Sequence, residues 1–172
     1  MQGIKLDIAK WKRPSPECGP VHAKAAGLYM ICTLSKHEAE AKGYSDALML
    51  DYRGQIAEAT GANIFFKMPD GKLHTPLPDC FLDGITRRTV IDIAKNFGIE
   101  TIERKIMPEE MKDAEECFLT GTAAEVTPIR ELDRRAIGQG TRGPVTELIQ
   151  KQFFDIVNGK SPTYDKWLTY VR

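Results

Sequence analysis

The sequence lacks the compositional extremes that mark several classes of protein. It has no stretch approaching the roughly 20 consecutive apolar residues of a membrane-spanning helix. It has no net charge, because 24 Lys and Arg residues balance 24 Asp and Glu residues, and no strong field toward nucleic acid or an anionic membrane is expected. Its first residues lack the basic segment and apolar stretch of a signal peptide. These absences predict a cytoplasmic globular protein without nucleic-acid or membrane partners.

Residues that form cross-links and metal sites are also scarce. The four cysteines are widely separated and form no Cys-x-x-Cys pair, and a reduced state is expected for them in a chain without secretion signals. The cysteines and the three histidines show no zinc-ligand spacing. We therefore predict no metal site.

Short strands and amphipathic helices fill the 172 residues, a length that suits one domain. Helices are predicted over residues 25–42, 86–97, 107–114 and 143–157, and strands over residues 3–9, 46–50, 55–60, 63–68, 72–75, 100–106, 117–120 and 126–132. The irregular alternation, with hairpins early and crossovers late, is typical of a mixed α/β or α+β domain. Neither a Gly-x-Gly-x-x-Gly motif nor a P-loop motif is present, which disfavours a nucleotide-binding fold.

Lys24 is a candidate nucleophile. Small and apolar residues flank it just before a predicted helix. Desolvation there would lower the pKa of its ammonium and make it a usable amine nucleophile. The simpler alternative is a lysine in an exposed loop, as most lysines are.

Glu58 is a candidate counter-ion. It lies among small and apolar residues of a predicted strand, where a carboxylate is costly unless it meets a cation. A protonated ring nitrogen of a cofactor would be such a cation. The simpler alternative is a strand residue whose side chain faces solvent.

Two segments could hold an anion. The N–H groups of Ile85 and Thr86, with the Thr86 hydroxyl, would converge at the N-terminus of a predicted helix, a place that stabilises phosphate. Residues 120–125 follow a predicted strand, and their Gly-Thr-Ala turn lets backbone amides approach a ligand closely. Each segment alone could equally be an ordinary helix cap or turn.

Together these segments resemble the class IV (fold type IV) pyridoxal-phosphate aminotransferases, and among them the branched-chain amino acid aminotransferases. The resemblance covers nearly the whole chain and rests on residues 22–29, 57–65, 82–87 and 118–128. The 34 positions between Lys24 and Glu58 also fit the family pattern. Ala59 and Ala62 depart from it, because many relatives carry glycine and glutamate there.

The resemblance implies a role for each residue near the cofactor ring. Lys24 would bind pyridoxal 5'-phosphate through its amine and later carry the α-proton of the substrate. Glu58 would keep the ring nitrogen protonated, so that the ring can accept electrons. Tyr29 would form a hydrogen bond with the ring 3-oxygen.

The resemblance also implies residues for the two anionic groups. The amides of Ile85 and Thr86 and the hydroxyls of Thr86 and Thr122 would hold the cofactor phosphate. The amides around Thr122 and Ala123 would also face the substrate carboxylate.

The fold and reaction follow from the same resemblance. Residues 1–172 would form the large C-terminal cofactor-binding domain, a mixed sheet or pseudo-barrel with surrounding helices, without the N-terminal small domain. The expected reaction is transamination of leucine, isoleucine and valine with 2-oxoglutarate, in a homodimer or larger oligomer. The alternatives are a D-amino acid aminotransferase, an aminodeoxychorismate lyase, and a catalytically silent truncated domain.

Overall fold

The computed structural model describes residues 3–171. Within them the strands are β1 (Ile4–Ile8), β2 (Asp46–Leu50), β3 (Ile56–Ala59), β4 (Asn63–Lys67), β5 (Leu73–Pro76), β6 (Thr101–Arg104), β7 (Glu116–Gly121), β8 (Glu125–Leu132) and β9 (Arg135–Ala136). The α-helices are α1 (Met30–Ala41), α2 (Ile85–Asn96) and α3 (Pro144–Val157), and 3₁₀ helices cover Pro16–Cys18, Ala26–Leu28, Pro108–Asp113 and Pro162–Trp167. None of the helices in this part of the chain combines the length and apolar character needed to cross a bilayer.

The strands form one mixed sheet that curls on itself. Their order is β3-β2-β1-β8-β7-β4-β5-β6, and β9 pairs with β8. The β1–β2, β1–β8 and β5–β6 pairs are parallel, and the other neighbours are antiparallel. The N–H of Ile56 on β3 donates to the carbonyl of Ile106, just after β6, at 2.8 Å. This bond joins the two ends of the sheet, so the predicted mixed fold with a pseudo-barrel is confirmed.

Alternating residues of the strands build two separate cores. Phe65 on β4 and Phe118 on β7 stack with ring centres 5.1 Å apart and pack with apolar residues of α2 and α3. Their neighbours Ile64 and Leu119 belong to a second cluster, with side chains of β1, β2 and β8. Because successive side chains of a strand point to opposite faces, one sheet supports both clusters and fixes the position of α2.

Several predicted elements differ in extent. α1 begins at Met30 rather than at residue 25, because residues 23–27 are exposed and no burial there offsets the low helix propensity of Gly27, about 1 kcal/mol. The helix predicted over residues 107–114 is a 3₁₀ helix, and none of its six residues is buried. The short strand β9 and the 3₁₀ helix Pro162–Trp167 were not predicted.

Candidate active site

The candidate active site is a cavity of about 340 Å³ beside the N-terminus of α2. This volume lies in the range of roughly 300–1,000 Å³ that is usual for small-molecule sites. The cavity is lined by Lys24, Tyr29, Glu58, Gly61, Ala62, Asn63, Leu82, Asp83, Gly84, Ile85, Thr86, Thr120, Gly121 and Thr122. The structure thus brings together six of the seven residues predicted for the site. The seventh, Ala123, does not line the cavity and is exposed in the turn after β7.

Glu58 lies on β3 and is only 6% exposed, so the solvent-facing alternative is wrong. A short hairpin turn fixes its position, because the N–H of Ala59 donates to the carbonyl of Ala62 at 2.8 Å. Burial raises the pKa of Glu58 to about 8, while the positive charges of Arg13 and Lys24 act in the opposite direction. Glu58 therefore retains a proton at neutral pH in the cofactor-free chain.

Arg13 is a buried cation beside Glu58 that the sequence analysis missed. Its side chain is 1% exposed, and its Nε lies 3.4 Å from Oε1 of Glu58. Its Nη1 donates to the carbonyl of Leu28 and to Sγ of Cys32, each at 3.1 Å. The guanidinium also lies 5.9 Å from the centre of the Tyr29 ring. Arg13 therefore lies beside two of the three residues predicted to surround the cofactor ring, Glu58 and Tyr29.

The backbone explains how Arg13 reaches this position. Its N–H donates to the carbonyl of Leu50 at 2.8 Å, and it forms an isolated parallel bridge with Asp51. Leu50 ends β2, the neighbour of β3, which carries Glu58. The prolines at positions 14 and 16 indicated a loop here. The sequence signal for Arg13 was thus indirect: a carboxylate on an apolar strand, which requires a cation.

Lys24 lies at the open side of the cavity. It is exposed, as are the flanking residues 23, 25 and 26, so the expected apolar environment is wrong for this chain. Its Nζ lies 5.5 Å from the centre of the Tyr29 ring. Tyr29 is half-buried, and burial raises the pKa of its hydroxyl, with a further increase from the charge of Glu58. The lysine is thus placed to reach a ligand, but solvent reaches it too.

The residues predicted to hold an anion lie around the N-terminus of α2. The N-cap residue is Gly84, with extended backbone angles, so a capping side chain is lacking at this helix end. The N–H groups of the first turn, including those of Ile85 and Thr86, are therefore available to an anion. Thr86 is buried, and Thr122, in the turn between β7 and β8, lines the same cavity.

A buried hydroxyl group in the wall of the cavity indicates that a polar ligand fits there. Thr120 on β7 is fully buried and lines the cavity, yet its Oγ1 has no hydrogen-bond partner among residues 3–171. Leaving such a group unpaired costs about 1–3 kcal/mol, which a polar ligand atom would offset. The amine, phenol, carboxyl group and helix N-terminus around it suit a ligand with a carbonyl, a ring nitrogen and a phosphate. The residues present therefore fit pyridoxal phosphate.

The comparison with known families agrees with this geometry. Residues 2–132 match the sequence model described as "Amino-transferase class IV". The chain belongs to the class IV aminotransferase family.

Curated relatives of this chain carry a more specific name. It is 44% identical over 171 residues to a branched-chain-amino-acid aminotransferase of Pseudomonas aeruginosa, covering 99% of this chain and 55% of the relative. It is 42% identical over 167 residues to the enzyme of that name from Escherichia coli strain K12, covering 96% of this chain and 53% of the relative. The chain thus spans about half the length of the curated relatives it matches.

Solved structures of similar sequence have the same fold. A branched-chain amino acid aminotransferase from T.th., complexed with N-(5'-phosphopyridoxyl)-L-glutamate, matches with a TM-score of 0.96 and 41% identity, over 99% of this chain and 56% of that one. The branched-chain aminotransferase of Thermoproteus uzoniensis, with norvaline, matches with a TM-score of 0.92 and 43% identity, over 97% of this chain and 55% of that one.

Proposed function

We propose that this chain is the cofactor-binding domain of a pyridoxal-phosphate-dependent aminotransferase for branched-chain L-amino acids. The observation that carries the proposal is the cavity that joins Lys24, Tyr29 and Glu58 to the N-terminus of α2. Residues 1–172 are proposed as the large cofactor-binding domain of the family. The similarity to branched-chain aminotransferases supports leucine, isoleucine and valine as substrates and 2-oxoglutarate as amino acceptor.

The residues around the ring have separate tasks. When bound, pyridoxal phosphate supplies an aldehyde that combines with amines and a ring that accepts electrons from the substrate α-carbon. Nζ of Lys24 would hold the cofactor at its aldehyde group, and the same nitrogen, when free, would carry the proton of the substrate α-carbon. Tyr29, which lines the same cavity, would donate a hydrogen bond to the ring 3-oxygen. Glu58, which retains a proton below about pH 8 in the chain alone, would keep the ring nitrogen protonated.

The phosphate is assigned to the N-terminus of α2. The amides of Ile85 and Thr86 and the hydroxyls of Thr86 and Thr122 would bind its oxygens, and the helix dipole would add a favourable field. The unpartnered hydroxyl of Thr120 is a further donor. Thr122 and Ala123 are assigned to the substrate carboxylate, as amides of the turn after β7.

The surroundings of the domain are also part of the proposal. We also propose a homodimer or larger oligomer in the cytoplasm. The exposure of Lys24 and its neighbours supports a partner subunit on that side of the cavity. A D-amino acid aminotransferase or an aminodeoxychorismate lyase would use the same Lys24 and Glu58, and a panel of 2-oxo acids distinguishes these activities from the branched-chain one.

A second candidate function is a catalytically silent domain that binds the cofactor poorly and serves as a folding or association unit. The exposure of Lys24 and its neighbours favours it, because efficient transamination needs a positioned substrate and the exclusion of water.

The test is covalent trapping followed by a turnover measurement. The purified chain is incubated with saturating pyridoxal phosphate, reduced with borohydride, and digested for peptide mass spectrometry. We expect the pyridoxyl group on Lys24, and its absence there would contradict the proposal. A single-turnover assay with leucine, isoleucine and valine then separates an active domain, which converts the bound cofactor, from a silent one, which does not.

A further inference from the structure

We propose that Asn63 is a positioning residue that couples the two ends of the candidate site. Through it, the helix end assigned to the phosphate and the carboxyl group assigned to the ring nitrogen hold each other in place. The assignment of these ends to a ligand rests on the proposed function. The coupling itself is a property of the chain's own side chains.

Asn63 makes a hydrogen bond to each end of the site. It is the first residue of β4 and is 4% exposed. Its Nδ2 donates to the carbonyl of Leu82 at 2.9 Å and to Oε2 of Glu58 at 3.3 Å. Its Oδ1 accepts the N–H of Gly84, the N-cap of α2, at 3.1 Å. This pattern sets the orientation of the amide, because a flipped amide would place its NH₂ group against the N–H of Gly84.

The backbone holds Asn63 in a fixed place between these partners. A three-residue turn connects it to Glu58 and Ala59 on β3, and in the sheet it pairs with Thr120 on β7. Residues 82–84 do not belong to a strand. Two of the hydrogen bonds that attach this segment to the sheet come from Asn63.

The neighbouring Asn63 side chain, and not the backbone conformation of residue 84, favours glycine at this position. Its angles of φ −64° and ψ 144° are ordinary for alanine. A Cβ atom on Gly84, however, would lie 2.3 Å from Oδ1 of Asn63. A methyl group at position 84 must therefore displace the Asn63 amide. The Gly84→Ala variant pushes on Asn63 from the phosphate end without altering Glu58 or its charged neighbours.

The experiment follows the protonation of Glu58 in the cofactor-free chain. The chain is labelled with ¹³C at the glutamate carboxyl groups, the Glu58 signal is assigned with Glu58→Gln, and its midpoint is measured by NMR. The titratable and charged groups around Glu58 are Arg13, Lys24, Tyr29 and Cys32. All of them remain unchanged in the variants.

We expect Asn63→Ala to raise the Glu58 midpoint by about half a pH unit or more, because the ionised carboxylate loses a donor. Gly84→Ala is expected to shift it in the same direction. In the double variant the effects should not add, since the methyl group then meets no amide. The matched control is Gly19→Ala, where an added Cβ meets nothing within 4 Å and the midpoint should stay unchanged.

A second readout is the binding of inorganic phosphate, followed by ³¹P NMR. Asn63→Ala should weaken it by roughly 2- to 10-fold, the effect of one hydrogen bond, because the N-terminus of α2 loses a contact to the sheet. The expected pattern is thus that each variant changes both ends of the site.

Two results would overturn the coupling. One is a Gly84→Ala variant that weakens phosphate binding but leaves the Glu58 midpoint unchanged, and the other is additive shifts in the double variant. If Asn63→Ala does not fold, Gly84→Ala against Gly19→Ala decides the question. Failure of the proposed function would give a different result. The wild-type chain would then carry no pyridoxyl group on Lys24, and this outcome does not depend on the titration of Glu58.

Discussion

The two sides of the candidate site differ in how much of their environment the described residues supply. On one side Glu58 is buried, with Arg13 and Asn63 within 3.4 Å of its carboxyl oxygens. On the other side Lys24 lies on an exposed segment. The fold of this chain thus sets the protonation of the carboxyl group, whereas the surroundings of the lysine depend on what covers that segment. The predictions below test this contrast.

The largest expected effect is a complete loss of covalent cofactor without a loss of stability. Lys24→Ala should abolish the borohydride-trapped pyridoxyl adduct, because no amine remains at that position. The free energy of unfolding should change by less than about 0.5 kcal/mol, since the residue is exposed. Intact mass and urea unfolding measure the two quantities. Lys36, which lies on α1, is exposed as well, so Lys36→Ala is the control. An undiminished adduct in Lys24→Ala would contradict the assignment.

On the buried side, removal of the cation should cost stability. Arg13→Met should lower the free energy of unfolding by about 1–3 kcal/mol, because the carbonyl of Leu28 loses the donor that Nη1 of Arg13 supplies. Glu58 adds little to this loss at neutral pH, because its carboxyl group already retains a proton. Urea unfolding measures the change. The adjacent Lys12 is exposed, so Lys12→Met is the matched control, and equal losses in the two variants would refute the contrast.

Glu58 should make stability depend on pH. Its pKa is about 8 in the folded chain and 4.5 ordinarily, so between these values the folded state binds more protons than the unfolded state. Stability from this group is therefore complete below about pH 4.5 and is lost as the pH rises through 8. Glu58→Gln should remove this loss and stabilise the cofactor-free chain by roughly 4 kcal/mol at pH 8, with little change at pH 4.5.

Urea unfolding at both pH values measures this effect. Glu40→Gln, at an exposed position of α1, should show no such difference between the two pH values. A Glu58→Gln variant that loses stability at pH 8 would show that the buried carboxylate is better compensated than the geometry indicates.

The smallest expected effect concerns the unpartnered hydroxyl in the cavity. Thr120→Val should stabilise the cofactor-free chain by about 1 kcal/mol and weaken pyridoxal phosphate binding by roughly 2- to 10-fold. Thr101 on β6 provides the control, because its Oγ1 is also buried without a partner among the described residues, and it does not line the cavity. Thr101→Val should show the gain in stability alone, as measured by thermal unfolding and cofactor titration.

The sequence was most informative where the evidence is local or depends on spacing. The strand around Phe118 and the helix from Ile85 follow from periodicity, and the positions of Lys24 and Glu58 follow from the family pattern. Their meeting with α2 in one cavity agrees with that pattern. The roles of these residues remain predictions.

Arg13 and Asn63 could not be found in the same way. Arg13 reaches Glu58 through an isolated bridge to Asp51, a pairing without periodicity, next to prolines that indicate a loop. Asn63 begins a strand, and its importance depends on the segment around Gly84, which is remote in sequence. The sequence left the environment of Lys24 open between an apolar site and an exposed loop, because burial depends on which elements pack over a segment rather than on its composition.

The position of β1 in the sheet has a consequence for how the chain folds. β1 lies between β2 and β8, and Ile4 pairs with Ile129. During synthesis β1 therefore cannot pair with β8, one of its two neighbours, until the residues of β8 have left the ribosome. Contacts so distant in sequence slow folding and leave strand edges open to other chains in the meantime. We thus expect the yield of folded protein to depend on translation rate and chaperone supply more than native stability alone would suggest.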